Sequence, residues 1–211
     1  MIITANELAH YYGDECVLND VSVTLEAGKF VAIIGESGSG KTTLLSILST
    51  LLKPTRGEVL FDDKPCVAWG NIDEFRRKNI GFVFQFHYLI SYLTLRENIA
   101  LGAIDSNTVE PLMSALGIEK LSRRYSDEVS GGQRQRAAIA RALVNAPGVV
   151  FADEPTGNLD TKNAIMVYEL FKRFAAGGTG FVVASHDKKI ADYADIIIEM
   201  EDGKIVKISR K

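Results

Sequence analysis

Residues 35–42 read Gly35-Glu36-Ser37-Gly38-Ser39-Gly40-Lys41-Thr42, a glycine-rich run that ends in Lys-Thr. Glycines at the first, fourth and sixth positions allow close approaches and backbone conformations that a Cβ would block. Successive N–H groups can therefore point at one anion. In this pattern Lys41 is expected to reach the β- and γ-phosphates of a nucleotide, and Thr42 to offer its hydroxyl to Mg²⁺. The run predicts a phosphate-binding loop for ATP or GTP.

The segments on either side of this loop fit the prediction. Residues Phe30–Ile34 form an unbroken apolar run, typical of a strand buried on both faces, and Lys41–Leu52 is predicted to be a helix that stops before Pro54. The phosphates would lie at the N-terminus of that helix, where free N–H groups and the helix dipole favour negative charge. A glycine-rich turn without a nucleotide is the alternative, and the order of strand, loop and helix argues against it.

The composition is that of an ordinary globular protein. The 211 residues are 46% hydrophobic and 24% charged, enough for one sizeable core with an inserted subdomain. The net charge is −3, and no basic stripe is present, so nucleic acid is not expected as the main ligand. No apolar run approaches the roughly 18 residues of a membrane span, and Met1–Thr4 starts a strand rather than a signal peptide. We expect a cytoplasmic protein that reaches a membrane only through a partner.

The pattern along the chain predicts an α/β protein in three parts. Residues 1–26 contain short β-like segments and are expected to form antiparallel sheet. Residues 27–86 and 146–211 carry solidly apolar strands with an intervening helix, which is typical of a parallel α/β core. Residues 87–145 are mainly helical. Predicted elements in the last two parts are a helix capped by Thr94, helices Gln133–Val144 and Lys162–Ala175, and strands Val149–Ala152 and Gly180–Ala184.

Two carboxylates follow the strand at 149–152. Asp153 and Glu154 would lie at the carboxyl edge of the parallel sheet, the edge that also carries the phosphate loop. Asp153 suits Mg²⁺, held through water, and Glu154 is placed to deprotonate a water that attacks the γ-phosphate. A pair of solvated loop acids is the alternative.

A second candidate anion site precedes the helix at 133–144. Ser130-Gly131-Gly132-Gln133 combines a serine cap with two glycines, which leaves a bare, positively polarised helix N-terminus. One nucleotide does not need two such sites from one subunit. This segment, called here the signature segment, is therefore predicted to serve the ATP of a second subunit, and a plain N-cap without a ligand is the alternative.

Taken in order, these segments resemble an ABC-type ATPase over nearly the whole chain. The resemblance implies a RecA-like P-loop core, an antiparallel β subdomain, an inserted helical subdomain that carries the signature segment, and a head-to-tail homodimer that sandwiches two ATP molecules with Mg²⁺. The matching segments are Gly35–Thr42, Gln85, Ser130–Gln133, Asp153–Glu154, Gly157–Asp160 and Ser185–Asp187.

The resemblance also implies roles for single residues. Gln85 would contact Mg²⁺ or the attacking water and relay nucleotide state to the helical subdomain. His186 would hydrogen-bond the γ-phosphate, and Asp160 would couple the two sites of the dimer. Tyr12 would stack on adenine, with Tyr11 as the close competitor. The nucleotide-binding residues are then expected to be Tyr12, Gly35, Ser37, Gly38, Ser39, Gly40, Lys41, Thr42, Thr43, Ser130, Gly131, Gly132, Gln133 and Asp160.

Some side chains of similar type are assigned no functional role. His10 and His87 are interpreted as structural, because a lone histidine is more often a surface or core residue than a ligand. The arginines of the signature helix, Arg134, Arg136 and Arg141, are expected to form a solvated face.

Two stretches are similar to one branch of the family. Gly81–Ile90 and Ala152–Asp160 resemble lipoprotein-release ATPases, the ATPase domain of the macrolide exporter, and the cell-division ATPase that pairs with an FtsX-like membrane subunit. Departures from the usual pattern are Val129 before the signature segment, Thr42 in place of serine, and a short stretch from Leu101 to Leu121. The last would trim the helical subdomain that rests on the membrane partner.

The resemblance implies an ATP-hydrolysing subunit of a transporter or mechanotransmission complex that works with a separate membrane permease, FtsX-like or MacB-like. Apolar residues within His87–Asn98 would help form the groove for that permease. An ABC-type ATPase acting on nucleic acid or ribosomes is the alternative. Such relatives carry coiled-coil insertions, zinc modules or tandem cassettes, and none is visible in this sequence.

Overall fold

Two β-sheets and six helices organise the chain in this computed structural model, which describes residues Met1–Lys211. The strands are β1 (Ile2–Tyr12), β2 (Glu15–Glu26), β3 (Phe30–Ile34), β4 (Arg56–Phe61), β5 (Lys64–Pro65), β6 (Ile80–Val83), β7 (Val149–Asp153), β8 (Gly180–Ser185), β9 (Ile196–Glu201) and β10 (Lys204–Arg210). The helices are α1 (Lys41–Leu48), α2 (Ile72–Asn79), α3 (Leu95–Ala100), α4 (Val109–Ala115), α5 (Gly131–Leu143) and α6 (Thr161–Ala176).

The larger sheet has the order β10-β9-β3-β8-β7-β6 and is parallel except for β10. Its central strands β3, β7 and β8 are apolar runs buried on both faces, as a sheet covered by helices requires. The predicted α/β class is therefore confirmed. The carboxyl ends of β3, β7 and β8 lie side by side, so the segments that follow these strands meet at one edge.

The smaller sheet is antiparallel and has the order β2-β1-β4-β5. Its first two strands extend well beyond the short segments expected within residues 1–26. Strands β4 and β5 fall in the stretch 27–86 that we assigned to the core, yet they pair with β1 and with each other. The antiparallel part is thus assembled from two separate pieces of chain, because hydrogen-bond pairing with β1 is a tertiary choice that strand propensity does not encode.

Helix α1 is shorter than predicted. It ends at Leu48 rather than Leu52, and Thr50 takes a left-handed conformation with φ of 65°. The backbone N–H of Thr50 donates to the Ile47 carbonyl, and that of Leu51 donates to the Ser46 carbonyl. This pairing is a Schellman motif, which usually has glycine at the left-handed position. Threonine stands there instead, so the sequence carried no stop signal before Pro54.

The helical part contains α3, α4 and α5 within the predicted range 87–145. Helix α3 begins with the expected cap, because Thr94 and Glu97 form a reciprocal capping box. Apolar residues of these helices, such as Ile99, Met113 and Ile139, belong to the same buried cluster as Val150 and Phe181 of the parallel sheet. The helical part is thereby fixed to the core that carries the site. No helix has the length and apolar character needed to cross a membrane.

Candidate nucleotide-hydrolysis site

The predicted phosphate loop connects β3 to α1 and depends on its glycines. Gly38 and Gly40 have φ values of 83° and 93°, in the left-handed region that favours glycine. A Cβ at Gly35 would overlap the carbonyl oxygen of Met200, and one at Gly40 would come within 2.8 Å of the Val17 carbonyl oxygen. The loop therefore packs closely between β9 and β2, and this backbone path requires glycine at positions 35 and 40.

The Lys41 side chain is folded into the loop. Its exposed fraction is 7%, and the ammonium group donates hydrogen bonds of 2.8 and 2.7 Å to the carbonyl oxygens of Gly35 and Glu36. Lys41 is also the first residue of α1, with Gly40 as its N-cap. The positive charge and the free N–H groups of the helix start converge on one small volume, the arrangement that favours a bound phosphate.

Two side chains with oxygen atoms that could bind Mg²⁺ meet beside the loop. The Thr42 hydroxyl donates to the Asp153 carboxylate over 3.1 Å, which joins the start of α1 to the end of β7. Burial raises the pKa of Asp153, while the hydrogen bond from Thr42 acts in the opposite direction. The structure contains no group of three or more His, Cys, Asp or Glu side chains suited to a metal ion. One hydroxyl and one carboxylate fit Mg²⁺, which takes few protein ligands and completes its shell with water and phosphate oxygens.

Glu154 is held at the sheet edge by the segment that follows β8. One oxygen of its carboxylate accepts from the His186 backbone N–H and lies 2.9 Å from His186 Nδ1, and the other accepts from the Ser185 hydroxyl over 3.2 Å. The Glu154 side chain is 18% exposed and that of His186 65% exposed. Glu154 and His186, which the sequence predicted separately as site residues, are therefore in direct contact.

His186 lies between two cavities. A cleft of about 680 Å³ is lined by residues 35–39, His186 and residues 199–202. A second cavity of about 370 Å³ is lined by Glu154, His186 and residues of α6. His186 and Lys188 line both cavities, so the segment after β8 lies between the phosphate loop and the Glu154 carboxylate.

Gln85 lies against the segment that follows Glu154. A Cβ added to Gly157 would come within 2.9 Å of Gln85 Nε2, so its amide packs on the segment after Glu154. The Asn158 amide donates to the Gln85 carbonyl over 3.4 Å. No hydrogen bond links the Gln85 side chain to Thr42, Asp153 or Glu154. Its role at Mg²⁺ or at the attacking water stays a prediction.

The signature segment starts α5 through a capping box. The Ser130 hydroxyl accepts from the Gln133 N–H over 3.3 Å, and the Gln133 carboxamide oxygen accepts from the Ser130 N–H over 2.8 Å. A Cβ at Gly132 would overlap the Asn163 carboxamide oxygen, which explains glycine there. Asn163 in turn donates to Asp160, the N-cap of α6, and these hydrogen bonds lower the pKa of Asp160. Asp160 thus contacts the same subunit's signature helix through Asn163.

The two candidate adenine contacts lie at the end of β1. Tyr12 is 54% exposed and Tyr11 is 39% exposed. The Tyr12 ring packs edge-on against His10, with the ring centroids 4.7 Å apart. His10 is buried at 7% exposure, in accord with a structural role. Stacking of Tyr12 on adenine stays a prediction.

The arginines of α5 correct one expectation. They do not form a solvated face: Arg141 donates to the carbonyl oxygens of His87 and Tyr88 over 2.8 and 2.7 Å, and Arg134 donates to that of Val129. These guanidinium groups satisfy loop carbonyls that have no partner in a helix or sheet. Arg141 thereby ties the segment after Gln85 to the signature helix.

His87 is half-buried. Its burial is the main cause that lowers its pKa, and the charge of Arg134 acts in the same direction.

Sequence reasoning missed two organising polar residues. Asn98 is fully buried: its amide donates to the carbonyls of Ile90, Leu93 and Thr94, and its oxygen accepts from the Ile90 N–H. Tyr168 is 1% exposed, and its hydroxyl forms hydrogen bonds with the Thr156 hydroxyl and the Asp187 carboxylate. A polar residue on the apolar face of a predicted helix was the available signal in each case.

The parallel strands carry the phosphate loop at their carboxyl edge, together with the Thr42–Asp153 contact and the Glu154 carboxylate. This combination defines a P-loop nucleotide hydrolase. The sequence model of the family described as "ABC transporter" matches residues 18–157. The chain belongs to the ABC transporter family, and it is an ATP-binding and ATP-hydrolysing domain of that family.

Two relatives show the range of proteins that contain this domain. The lipoprotein-releasing system ATP-binding protein LolD of Aquifex aeolicus is 45% identical over 202 residues, covering 90% of this chain and 89% of that protein. The macrolide export ATP-binding/permease protein MacB of Campylobacter jejuni is 41% identical over 209 residues, 94% of this chain and 33% of that protein. The chain thus spans about a third of the length of the macrolide exporter.

Solved structures agree with this assignment. The ATP-binding cassette MJ0796, a dimer in a post-hydrolysis state with ADP and phosphate, matches with a TM-score of 0.87 and 32% identity, covering 99% of this chain and 98% of that chain. The cassette MJ1267 in its ADP conformation matches with a TM-score of 0.90 and 25% identity, covering 100% of this chain and 91% of that chain.

Proposed function

We propose that this chain is the nucleotide-binding subunit of a lipoprotein-release or export complex, which dimerises head-to-tail around two Mg-ATP and drives a separate membrane subunit. The observation that carries the proposal is the contact between Glu154 and His186 beside the phosphate loop. A carboxylate that is fixed by neighbours at the sheet edge where the phosphate loop also lies is suited to activating water.

The phosphate loop and its neighbours would bind the substrate. Lys41 would exchange its carbonyl partners for the β- and γ-phosphates, and the N–H groups of residues 37–43 would surround them. Thr42 and Asp153 would hold Mg²⁺, which neutralises charge on the phosphates when bound. Tyr12 would stack on adenine. These groups position the γ-phosphorus and withdraw charge from it, which is the main contribution a protein makes to phosphoryl transfer.

Glu154 would act as the general base. Its carboxylate accepts a proton from water as the water oxygen bonds to the γ-phosphorus, and the bond from that phosphorus to the β-phosphate oxygen breaks to give ADP and phosphate. His186 would orient the Glu154 carboxylate through Nδ1 and contact the γ-phosphate from the cleft side. Gln85 would orient the same water or Mg²⁺ and pass the state of the site to the helical part.

The second half of each site would come from the partner subunit. Ser130 is exposed, and no hydrogen bond within the chain uses the Gly131 and Gly132 N–H groups at the start of α5. In a head-to-tail dimer Ser130–Gln133 would contact the γ-phosphate held by the partner's loop, and Asp160 would couple the two sites. The dimeric form of the similar cassette MJ0796 supports this arrangement.

Glu154→Gln tests the chemistry. We expect ATP binding to persist while the hydrolysis rate falls by about 100-fold or more, since amides cannot accept the proton. Gel filtration with ATP should then show a trapped dimer. The control is Glu169→Gln, an exposed acid on α6. Unchanged turnover, with a monomer in the presence of ATP, would assign the base elsewhere.

An exposed aromatic surface follows Gln85 and is the proposed contact with the membrane subunit. Phe86, Tyr88 and Tyr92 are 62%, 64% and 78% exposed. Asn98 and Arg141 fix the backbone beneath them, so the rings stand on a rigid loop. A permease segment that covers this surface would hold the chain at the cytoplasmic face of the membrane, as the names of the LolD and MacB relatives suggest.

Affinity purification from detergent-solubilised membranes tests this partner. The wild-type chain should recover an integral membrane protein, and Tyr88→Ala with Tyr92→Ala should reduce the recovery at least about fivefold, because exposed aromatics dominate such contacts. Trp69→Ala, which removes an exposed aromatic near β5, is the control. Recovery of soluble partners alone would contradict the proposal. The nucleic-acid alternative is disfavoured because the relatives described above are transporter components.

A further inference from the structure

Tyr168 of α6 connects the two segments that carry Glu154 and His186. Its hydroxyl lies 2.8 Å from the Thr156 hydroxyl and 3.4 Å from Asp187 Oδ2. Thr156 follows Glu154 by two residues, and Asp187 follows His186 directly. Tyr168 and Thr156 are 1% and 6% exposed, so water does not compete effectively for these hydrogen bonds.

The direction of these hydrogen bonds can be assigned. The Tyr168 hydroxyl donates to Asp187 Oδ2, and because a hydroxyl has one proton to donate, it accepts from the Thr156 hydroxyl. Burial raises the pKa of the Tyr168 phenol, which keeps its proton in place as a donor. The phenol is therefore a bridge with one donor contact and one acceptor contact.

A second chain of hydrogen bonds completes the link. The Asp187 N–H donates to the Ser185 hydroxyl over 3.1 Å, and that hydroxyl donates to Glu154 over 3.2 Å. Starting at Glu154, the contacts run through Ser185, Asp187, Tyr168 and Thr156 and return along the backbone to Glu154. The Tyr168 hydroxyl is the single member of this ring supplied by a long helix.

The segment after β7 needs such support. Glu154 has φ of 45°, a left-handed conformation that costs energy for a residue with a Cβ. The cavity of about 370 Å³ lies between this segment, α6 and the segment after β8. The Glu154 N–H donates to the Ala184 carbonyl of β8 over 2.9 Å on one side of this space, and the Tyr168 hydroxyl links the two segments on the α6 side.

We propose that Tyr168 is a positioning residue for ATP hydrolysis, whose hydroxyl fixes the distance between the Glu154 segment and the His186 segment. The proposal rests on the roles of Glu154 and His186 in the proposed function. Tyr168 touches neither ATP nor water in this role. It acts by keeping the Glu154 carboxylate within reach of Ser185 and His186, and so at the angle that proton transfer requires.

Tyr168→Phe tests this role, because it removes the hydroxyl and keeps the ring that packs at 5.4 Å from Tyr193. We expect kcat to fall about five- to tenfold, the effect of losing one hydrogen bond of ordinary strength, with KM for ATP changed less than about twofold. Tyr193→Phe is the matched control, since the Tyr193 hydroxyl makes no hydrogen bond in the structure. Its kcat and KM should equal those of the wild type.

Thr156 supplies the second arm. Thr156→Val should lower kcat as Tyr168→Phe does, Thr156→Ser should restore most of the loss, and the double variant Tyr168→Phe with Thr156→Val should be no slower than either alone. Additive losses would mean that the two hydroxyls act separately and would overturn the proposal. So would a Tyr168→Phe kcat within twofold of wild type, or an equal loss in Tyr193→Phe.

Glu154→Gln in the same assay distinguishes failure of the Tyr168 role from failure of the Glu154 role. If Glu154→Gln abolishes turnover while Tyr168→Phe does not reduce it, only the positioning role fails. If Glu154→Gln hydrolyses ATP normally, the proposed function of Glu154 fails first, and the role of Tyr168 fails with it.

Discussion

At the residue scale, most of the candidate site could be read from residue types in order. The glycines of the phosphate loop, Lys41, and the Asp153 and Glu154 carboxylates have side chains whose chemistry is tied to position in a short motif. The contacts that orient them were not readable. Thr42 meets Asp153 across 111 positions of the chain, and Ser185 meets Glu154 across 31. Neither distance is encoded in a local pattern.

Asp153 offers a prediction at this scale, because burial raises its pKa. A raised pKa in the folded state means that folding favours the protonated Asp153 carboxyl. The carboxyl therefore contributes to folding stability below its unfolded pKa of about 3.9, and this contribution is lost as the pH rises through the folded pKa. Asp153→Asn keeps a hydrogen-bond acceptor for Thr42 and removes the charge. Without nucleotide, we expect this variant to melt at a higher temperature than wild type at pH 7.

The difference in Tm should shrink as the pH falls through the Asp153 pKa, and thermal melts at pH 4 to 8 would measure it. The same variant should bind ATP with Mg²⁺ at least about tenfold more weakly, as calorimetry would show. Asp127→Asn, at an exposed acid, is the control. A variant that is less stable than wild type at pH 7 would contradict the assignment of a buried, unfavourable charge.

At the scale of elements, helices and strands that are strongly periodic or capped were predicted well. Helix α3 starts at its Thr94 capping box, and α5 starts at Ser130. The failures came from tertiary pairing. Strand β4 joins β1 rather than the parallel core, and Thr50 ends α1 by adopting a conformation that glycine usually fills. Each outcome depends on neighbours that are distant in sequence.

The link between α5 and the segment after Gln85 gives a prediction at this scale. Arg141→Met removes hydrogen bonds to the His87 and Tyr88 carbonyls and leaves both without partners. We expect a loss of about 1.5–3 kcal/mol in local stability, because these acceptors bind a charged donor. Hydrogen exchange of residues 86–93 should be at least about tenfold faster, since 1.4 kcal/mol is a factor of ten.

Arg123→Met is the matched control, because Arg123 is exposed and makes no hydrogen bond in the structure. Mass spectrometry of peptides that cover residues 86–93 reports both variants. If exchange in Arg141→Met matches that in the control, the guanidinium does not hold this loop.

At the scale of the whole molecule, the phosphate loop and the signature segment belong to one chain but are proposed to serve different sites. Ser130 begins α5 in the helical part, while Lys41 begins α1 in the core. A head-to-tail dimer would bring the signature segment of one subunit to the phosphate loop of its partner. Symmetry then requires that every complete site contain both subunits.

Ser130→Arg tests this arrangement. A cation with a bulky side chain at the helix start should suppress hydrolysis at least about 100-fold through loss of the anion site, with ATP binding to the monomer unchanged. Ser106→Arg adds the same charge at an exposed position of the helical part and is the control. Loss of ATP binding by the Ser130→Arg monomer would place the signature segment in the site of its own subunit.

Mixing two inactive variants sharpens the test. A dimer of Ser130→Arg with Lys41→Ala contains one site with an intact loop and an intact signature segment. An equal mixture should therefore regain up to about a quarter of the wild-type rate, because half of the dimers are mixed and each has one complete site. A site formed within one subunit would regain nothing.

The sequence by itself determined the class of this protein and named the residues of its candidate site. Short motifs such as Gly35–Thr42 and Ser130–Gln133 carry their predicted function in residue types and spacing, and buried strands are recognised by unbroken apolar runs. Only the tertiary structure decided how those motifs are held. Strand β4 pairs with β1, Arg141 hydrogen-bonds to the loop after Gln85, and Tyr168 links the Glu154 and His186 segments. The physical reason is that hydrogen-bond partners of buried polar groups are chosen by proximity after folding. A tyrosine on an apolar helix face has the same local pattern whether its hydroxyl meets a partner or not.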